Sequence, residues 1–253
     1  MYKIPATTLF LGKNLIFMPE CHSTNDTLLL LCQKENLPEG TLVITSSQTA
    51  GRGQRGNVWE AEKNKNLTFS FLLKPSFLPV TKQFYLNIFV SLGISDFLTD
   101  FTGKKVHIKW PNDILLNEKK ISGILIETQL HGQRINNGVV GVGVNINQHD
   151  FTIPTATSLA LIEGKTFDLP HCLENLAHFI EVRYMQLREN RLEQLRSQFV
   201  DLLFRKDEPH FFYSNGVRFS GEIKGIDDIG RLLIRIGDSE KSFDIKEVKY
   251  EGF

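Results

Sequence analysis

The chain has 253 residues, enough for one large domain or a large one with a small companion, and its 29 lysines and arginines balance 29 aspartates and glutamates, which argues against nucleic acid as a partner. No stretch approaches the ~20 apolar residues that span a bilayer, and the opening segment, interrupted by Lys13 and Asn14, has too short an apolar run for a signal peptide. With no export signal, Cys21, Cys32 and Cys172, odd in number and without metal-ligand spacing, are expected as reduced structural fillers in the cytoplasm.

Residues 15–17 read as a short strand, and 27–32 as a leucine-rich helical run. Ser23, Thr24 and Asn25 stand where that helix begins; one suffices as an N-cap, and the others leave polar groups for a small ligand. His22 reads as a neighbour of such a site. Residues 38–40 are a turn, and 41–46 a β-branched strand leading into Gln48-Thr49-Ala50-Gly51-Arg52-Gly53-Gln54-Arg55-Gly56-Asn57-Val58-Trp59. Three glycines let this backbone approach a ligand closely. Arg52 and Arg55 supply forked donors for phosphate or carboxylate, and Trp59 a flat apolar surface for a ring. Taken alone, an ordinary turn with two solvated arginines fits this loop equally well.

Residues 67–73 form a second, mostly apolar strand, and the spacing of Phe84, Ile88, Leu92 and Phe97 predicts a packing helix over 83–101. Strand 106–109 runs into Trp110-Pro111-Asn112-Asp113. Proline cannot donate to a ladder and Asn-Asp favours a turn, so a kink gathers Lys109, Asn112 and Asp113. Residues 117–119 turn the chain, and the return strand 120–127 starts at Lys120 and carries Gly123, a mark of close approach by a ligand. Lys120 is placed near the kink, although a lysine at a strand start is commonly a solvated edge charge. In the strand predicted over 138–147, Gly141 and Gly143 leave room for a flat ligand, and Asn145 and Asn147 are expected on one face. A short helix begins at 157–161, and a long helical stretch runs from 168 to about 204 with a break at 189–191. Beyond Asp207-Glu208-Pro209, short strands at 217–219, 221–226, 232–236 and 241–245 predict a small barrel docked on the main domain.

The arginine–glycine loop, the two lysines around a Trp-Pro-Asn-Asp kink and the glycine-striped strand share one chemistry, the handling of a carboxylate beside a nucleotide phosphate. Gly51-Arg52-Gly53-Gln54-Arg55-Gly56-Asn57-Val58-Trp59, Lys109-Trp110-Pro111-Asn112-Asp113, Lys120-Ile121-Ser122-Gly123-Ile124-Leu125-Ile126-Glu127 and Gly141-Val142-Gly143-Val144-Asn145 resemble, in order and approximate spacing, the signature blocks of biotin protein ligases. Ser23-Thr24-Asn25 resembles the upstream block, so the resemblance covers nearly the whole chain.

The resemblance implies an α/β (α+β) fold, a mixed β-sheet flanked by helices similar to class II aminoacyl-tRNA synthetase-like ligases, with a catalytic domain over 1–206 and an SH3-like barrel over 207–253. It implies that biotin and ATP, with Mg2+, form biotinyl-5′-adenylate, that biotin passes to a lysine of a biotin carboxyl carrier protein or domain, and that no cofactor is tightly bound. Ser23, Thr24 and Gln48 would bind the biotin ureido ring with Asn25 in support, and Gly51, Gly53 and Gln54 belong to the same pocket. Arg52 and Lys120 would hold the biotin carboxylate and the α-phosphate. Asp113 would orient or deprotonate the acceptor lysine, and Lys109 completes the catalytic set. Arg55, Asn112 and Trp59 would contact the adenylate, Asn145 the phosphates and magnesium, and Gly123, Gly141 and Gly143 would let biotin lie on the sheet.

Many members carry arginine where Gln54 and Asn57 stand, so this loop has less positive charge to retain an adenylate, and Arg55 is expected to compensate in part. The 22 residues before Ser23 are too few for a DNA-binding module, which disfavours the repressor role of some members. A homodimer stays open. The rival readings are a lipoate or octanoate enzyme of the same fold and a biotin or nucleotide sensor without turnover.

Overall fold

The run Leu67–Leu73 is buried along its whole length, because it lies inside a sheet that is covered on both faces. The computed structural model describes residues 2–252, apart from the side chain of Arg55. In chain order the main body comprises β1 (Leu15–Met18), α1 (Thr24–Lys34), β2 (Leu42–Thr45), β3 (Leu67–Leu73), α2 (Tyr85–Thr102), β4 (Val106–Lys109), β5 (Asp113–Leu116), β6 (Lys119–His131), β7 (Arg134–Val144), α3 (Leu159–Glu163), α4 (Leu169–Arg188) and α5 (Leu192–Asp201). The sheet order is β1-β2-β3-β7-β6-β5-β4. Only β1 and β2 run parallel; every other pairing is antiparallel.

Alternation along β3 sorts its two faces. Leu67, Phe69, Phe71 and Leu73 join the large core with Phe89, Leu92 and Phe97 of α2. Leu72, with Val43 and Val139, packs under Leu28 of α1. On that second face β3 also presents Thr68 and Ser70, which are buried. α2 is itself covered by α4, and a Cβ on Gly93 would stand 2.7 Å from the Ile180 Cα, so the close crossing of these helices needs glycine. Glu181 of α4 is 4% exposed and accepts the backbone amides of Leu9, Phe10 and Leu11. This carboxylate thereby ties the N-terminal segment to the helix layer.

The remaining strands, β8 (Pro209–Ser214), β9 (Val217–Ile226), β10 (Leu232–Ile236), β11 (Ser239–Phe243) and β12 (Lys249–Tyr250), form a second antiparallel sheet in the order β11-β10-β9-β8-β12. Its first strand begins at Pro209. The sheet differs from expectation in four respects: β8 begins at the boundary proline, the two strands anticipated at 217–226 are one, the strand anticipated at 241–245 lies at Ser239–Phe243, and β12 closes the order. Pro209 at the first residue of a strand forfeits no interior ladder bond. The sheet docks on the main body through Trp110 Nε1, which donates to the Gly230 carbonyl at 2.9 Å, and through Arg196 Nη2, which donates to the Ile226 carbonyl at 2.6 Å.

Candidate active site

Residues opposite one another in neighbouring strands share a face of the sheet. One such row crosses six strands: Thr45 faces Thr68, Thr68 faces Gly143, Gly143 faces Gly123, Gly123 faces Asp113, and Asp113 faces Lys109. The next row joins Val43, Ser70, Gly141 and Leu125. Polar groups and glycines thus make a floor on the α1 side of the sheet, and above it lies a cavity of about 520 Å³.

Alternation alone would turn Lys120 away from this floor, since Gly123 lies an odd number of residues on. A β-bulge intervenes: Ile114 pairs with Ser122, but Leu115 pairs with Lys120. The extra residue re-aims the side chain, and Lys120 Nζ meets Asp113 Oδ1 at 2.6 Å. Lys109 Nζ stands 3.7 Å from Asp113 Oδ2. The trio sets two ammoniums on one carboxylate, an arrangement that suits a further anion. Asn112 Nδ2 donates to the Ile124 carbonyl and Asn87 Nδ2 to the Pro111 carbonyl, both at 2.7 Å. These bonds pin the kink, whose Trp110-Pro111 peptide is cis.

At the other end, Ser23 is the N-cap of α1 and accepts from Asp26 N. Gln48 Oε1 accepts from Thr24 N at 2.8 Å. Asn25 Nδ2 donates to Glu127 Oε2 at 2.7 Å, and Asn25 Oδ1 accepts from Ser70 Oγ at 2.6 Å. In the glycine loop, Arg52 bridges to Val58 and residues Gln54–Gly56 form one 3-10 turn. Gly51 sits at the loop's neck, where a Cβ would stand 2.4 Å from the Trp59 carbonyl.

The structure brings Ser23, Thr24, Asn25, Gln48, Arg52, Gly53, Gln54, Trp59, Lys109, Asn112, Asp113, Lys120, Gly123, Gly141 and Gly143 to one cavity wall. Gly51 is not part of that wall, and the Arg55 side chain lies outside the described residues. Asn145 does not line the wall either. Strand β7 ends at Val144, so Asn145 leaves the floor, and its Nδ2 donates to the Thr157 carbonyl at 3.0 Å. Asn147 likewise holds the Phe167 backbone rather than sharing a strand face with it. The glycine floor does carry a flat ring, and that ring is Trp59: a Cβ on Gly143 would lie 2.2 Å from its Cε2. A ligand seated on Gly143 and the indole in this position exclude each other.

Sequence reasoning missed Ser70, Asp26, Glu127 and Tyr250. Ser70 had a signal, a polar residue at period two from Thr68 in an apolar strand. Tyr250 had none, since it arrives from the second sheet; its ring lies 5.4 Å from Lys109 Nζ. Burial first, and then the nearby Asp113 charge, push the Tyr250 phenol well above its ordinary pKa, so it stays neutral beside the lysine.

A profile of the biotin/lipoate A/B protein ligase family matches residues 18–145. That match spans just over half of the chain and includes the floor, the loop and the kink. The chain belongs to the biotin/lipoate A/B protein ligase family. Among relatives, it is 30% identical over 239 residues to the bifunctional ligase/repressor BirA of Bacillus subtilis, covering 92% of this chain and 73% of that one. It is 29% identical over 238 residues to the biotin--[acetyl-CoA-carboxylase] ligase of Paracoccus denitrificans, covering 91% and 98%. The biotin protein ligase of Aquifex aeolicus, solved in complex with biotin and ATP, superposes with a TM-score of 0.79 at 27% identity over 94% of this chain and all of that one. The mixed sheet and the C-terminal antiparallel sheet are thus the fold of this ligase family.

Proposed function

We propose that the chain is a biotin--[acetyl-CoA-carboxylase] ligase that joins biotin to ATP and passes biotin to a carrier lysine. A biotin carboxylate oxygen attacks the α-phosphorus, and the bond to pyrophosphate breaks. The acceptor ε-amine then attacks the acyl carbon, sheds a proton and displaces AMP. The observation that carries this reading is the Lys109–Asp113–Lys120 trio at one end of the glycine floor. Two ammoniums there would draw the carboxylate and α-phosphate together and neutralise charge as pyrophosphate leaves. Asp113, already between two ammoniums, is the group on hand to orient the incoming amine. Thr24 and Gln48 would take the polar ring of biotin at the other end.

Among the described residues no group of three or more histidine, cysteine or acidic side chains could hold a metal. Asn145 Oδ1 is buried without a partner but lies off the cavity wall. Magnesium in this reading therefore travels with the ATP phosphates, as part of the substrate. We assign the catalytic domain to residues 1–206 and the SH3-like unit to 207–253. We place the reaction in the cytoplasm, in keeping with three free cysteines; among the described residues no helix is long and apolar enough to cross a membrane.

The test is biotin-dependent exchange of labelled pyrophosphate into ATP, with lipoate as control and Lys120→Ala beside the wild type. Exchange with biotin alone, lost in the variant, is the expected result. Exchange with lipoate instead overturns the substrate, and exchange with neither favours a sensor without turnover.

A further inference from the structure

A polar chain leaves the start of the glycine loop and returns to it around the first turn of α1. Gln48 Oε1 accepts from Thr24 N and lies 3.2 Å from the Thr24 hydroxyl. Thr24 Oγ1 is 2.7 Å from Ser70 Oγ, which is 2.6 Å from Asn25 Oδ1. An amide oxygen only accepts, so Ser70 gives its one proton to Asn25 and receives that of Thr24. Asn25 Nδ2 donates to Glu127 Oε2 at 2.7 Å, and the same oxygen accepts from Arg52 Nη2 at 2.7 Å. Arg52 Nη2 gives its other proton to Asp26 Oδ1 at 2.6 Å. Arg52 lies in the same loop as Gln48, so the chain of bonds closes on the segment where it began.

This arrangement changes the part that Arg52 plays. A guanidinium between two carboxylates belongs to a trio with net negative charge, which is a poor seat for another anion. The trio of Lys109, Asp113 and Lys120 has the opposite balance. Glu127 itself sits on β6 opposite Val139, in the row that continues to Leu72. A carboxylate at the edge of this otherwise apolar row keeps its place through the amide and guanidinium that share one of its oxygens.

We infer that Glu127, assisted by Asp26, is a positioning residue of the ligase reaction: through Arg52 it holds the glycine loop against α1, and through Asn25 it sets the residues that meet the substrate ring. Arg52 is accordingly the strut of the loop, and the grip on anions belongs to the lysines. The inference rests on the functional reading above for the identity of the ligand, but the strut itself is a property of the chain.

The experiment uses the full chain, with biotin affinity from calorimetry and acrylamide quenching of tryptophan without ligand. Trp110 is 3% exposed, so changes in quenching report Trp59. Glu127→Ala and Arg52→Ala should each weaken biotin binding about tenfold, the order expected for one partly solvated charge-assisted contact. The double variant should be no weaker than either single one, because both cut the same chain. Glu127→Gln, nearly isosteric, should fall between wild type and Glu127→Ala, raise KM for biotin more than it lowers kcat, and increase Trp59 quenching. Additive losses, or wild-type quenching in both Glu127 variants, overturn the inference. If the wild type binds no biotin, the functional reading falls, and the quenching result alone decides the strut.

Discussion

Gly141 is the floor residue whose substitution has the most calculable consequence. A Cβ there would stand 2.3 Å from Asn25 Oδ1, 3.0 Å from its Cγ and 3.3 Å from its Nδ2. Asn25 cannot step aside cheaply, because it is 3% exposed, belongs to the first turn of α1, and is bonded to Ser70 and Glu127. Gly141→Ala therefore overpacks the interface, at about 1–3 kcal/mol, and breaks or stretches two hydrogen bonds worth about 1 kcal/mol each. Together these predict a loss of roughly 3–5 kcal/mol, or a fall in Tm of about 6–20 °C for a chain of this size. Biotin affinity should drop at least tenfold, since ~1.4 kcal/mol of the perturbation falls on the ligand-facing turn. The internal control is Gly138→Ala on the same strand, where a Cβ would meet Leu86 at 3.7 Å and Leu73 at 4.0 Å. Those are ordinary contacts, and removing backbone freedom should leave that variant neutral or slightly stabilised. Urea unfolding and biotin titration of the two variants make the comparison. Equal stability within about 0.5 kcal/mol and equal affinity would refute the reasoning from steric exclusion.

Three further outcomes follow from other parts of the molecule. Glu181→Ala leaves three backbone amides without their acceptor and should cost about 3 kcal/mol or more of stability; hydrogen exchange at Leu9, Phe10 and Leu11 should rise before global unfolding, and unchanged exchange would dismiss the anchor. Gln54→Arg restores a charge to the cavity wall and should slow escape of bound adenylate several-fold, on the scale of ~1 kcal/mol for a partly solvated pair; a chase with unlabelled biotin and ATP measures it, and an unchanged rate removes the idea. Burial first, and then Lys105, depress the pKa of His107, so the unfolded chain binds the proton more readily and stability falls as pH drops below the ordinary histidine range near about 6.5. His107→Gln should flatten that part of a Tm–pH curve, and a curve parallel to wild type would show that His107 does not set it.

The elements were legible in the sequence wherever side-chain pattern maps directly onto burial. The apolar run 67–73 gave its strand to the residue, and the break at Glu189–Arg191 lies where Asn190 takes a positive φ of 60° between α4 and α5. The site was legible as a set of residue types, because lysines around a kink and glycines along a strand are unusual choices for packing. What stayed hidden was geometry that depends on pairing. Lys120 reaches Asp113 through a bulge, and a bulge is a relation between two strands, invisible in either one. Asn145 looked like a floor residue because the strand was extended through it; the ladder stops at Val144, since the next amide donates to Ile121 O and the side chain turns to Thr157. Glu127 read as the end of an apolar strand, because its partners Asn25 and Arg52 lie 102 and 75 residues away in sequence. Tyr250 likewise reaches Lys109 from the second sheet, a contact that sequence pattern does not mark.

The row that crosses the sheet has a consequence for how the protein comes into being. Strands β4 to β7 follow one another through short turns, so the lysines, Asp113, Gly123 and Gly143 can gather by local zipping. Thr24, Gln48 and Ser70 belong to the earlier strands and their helix; in the sheet they meet that meander at the seam of β3 against β7, where Ser70 faces Gly141, and above it Asn25 and Arg52 reach Glu127. Closing that seam requires a loop of some seventy residues, the slower event on entropic grounds. Neither half holds both ends of the cavity, so a chain that has folded only one of them has no place for the substrate. Turnover is thereby a certificate that the seam has closed, and a nascent or partly unfolded copy cannot draw on biotin and ATP before then.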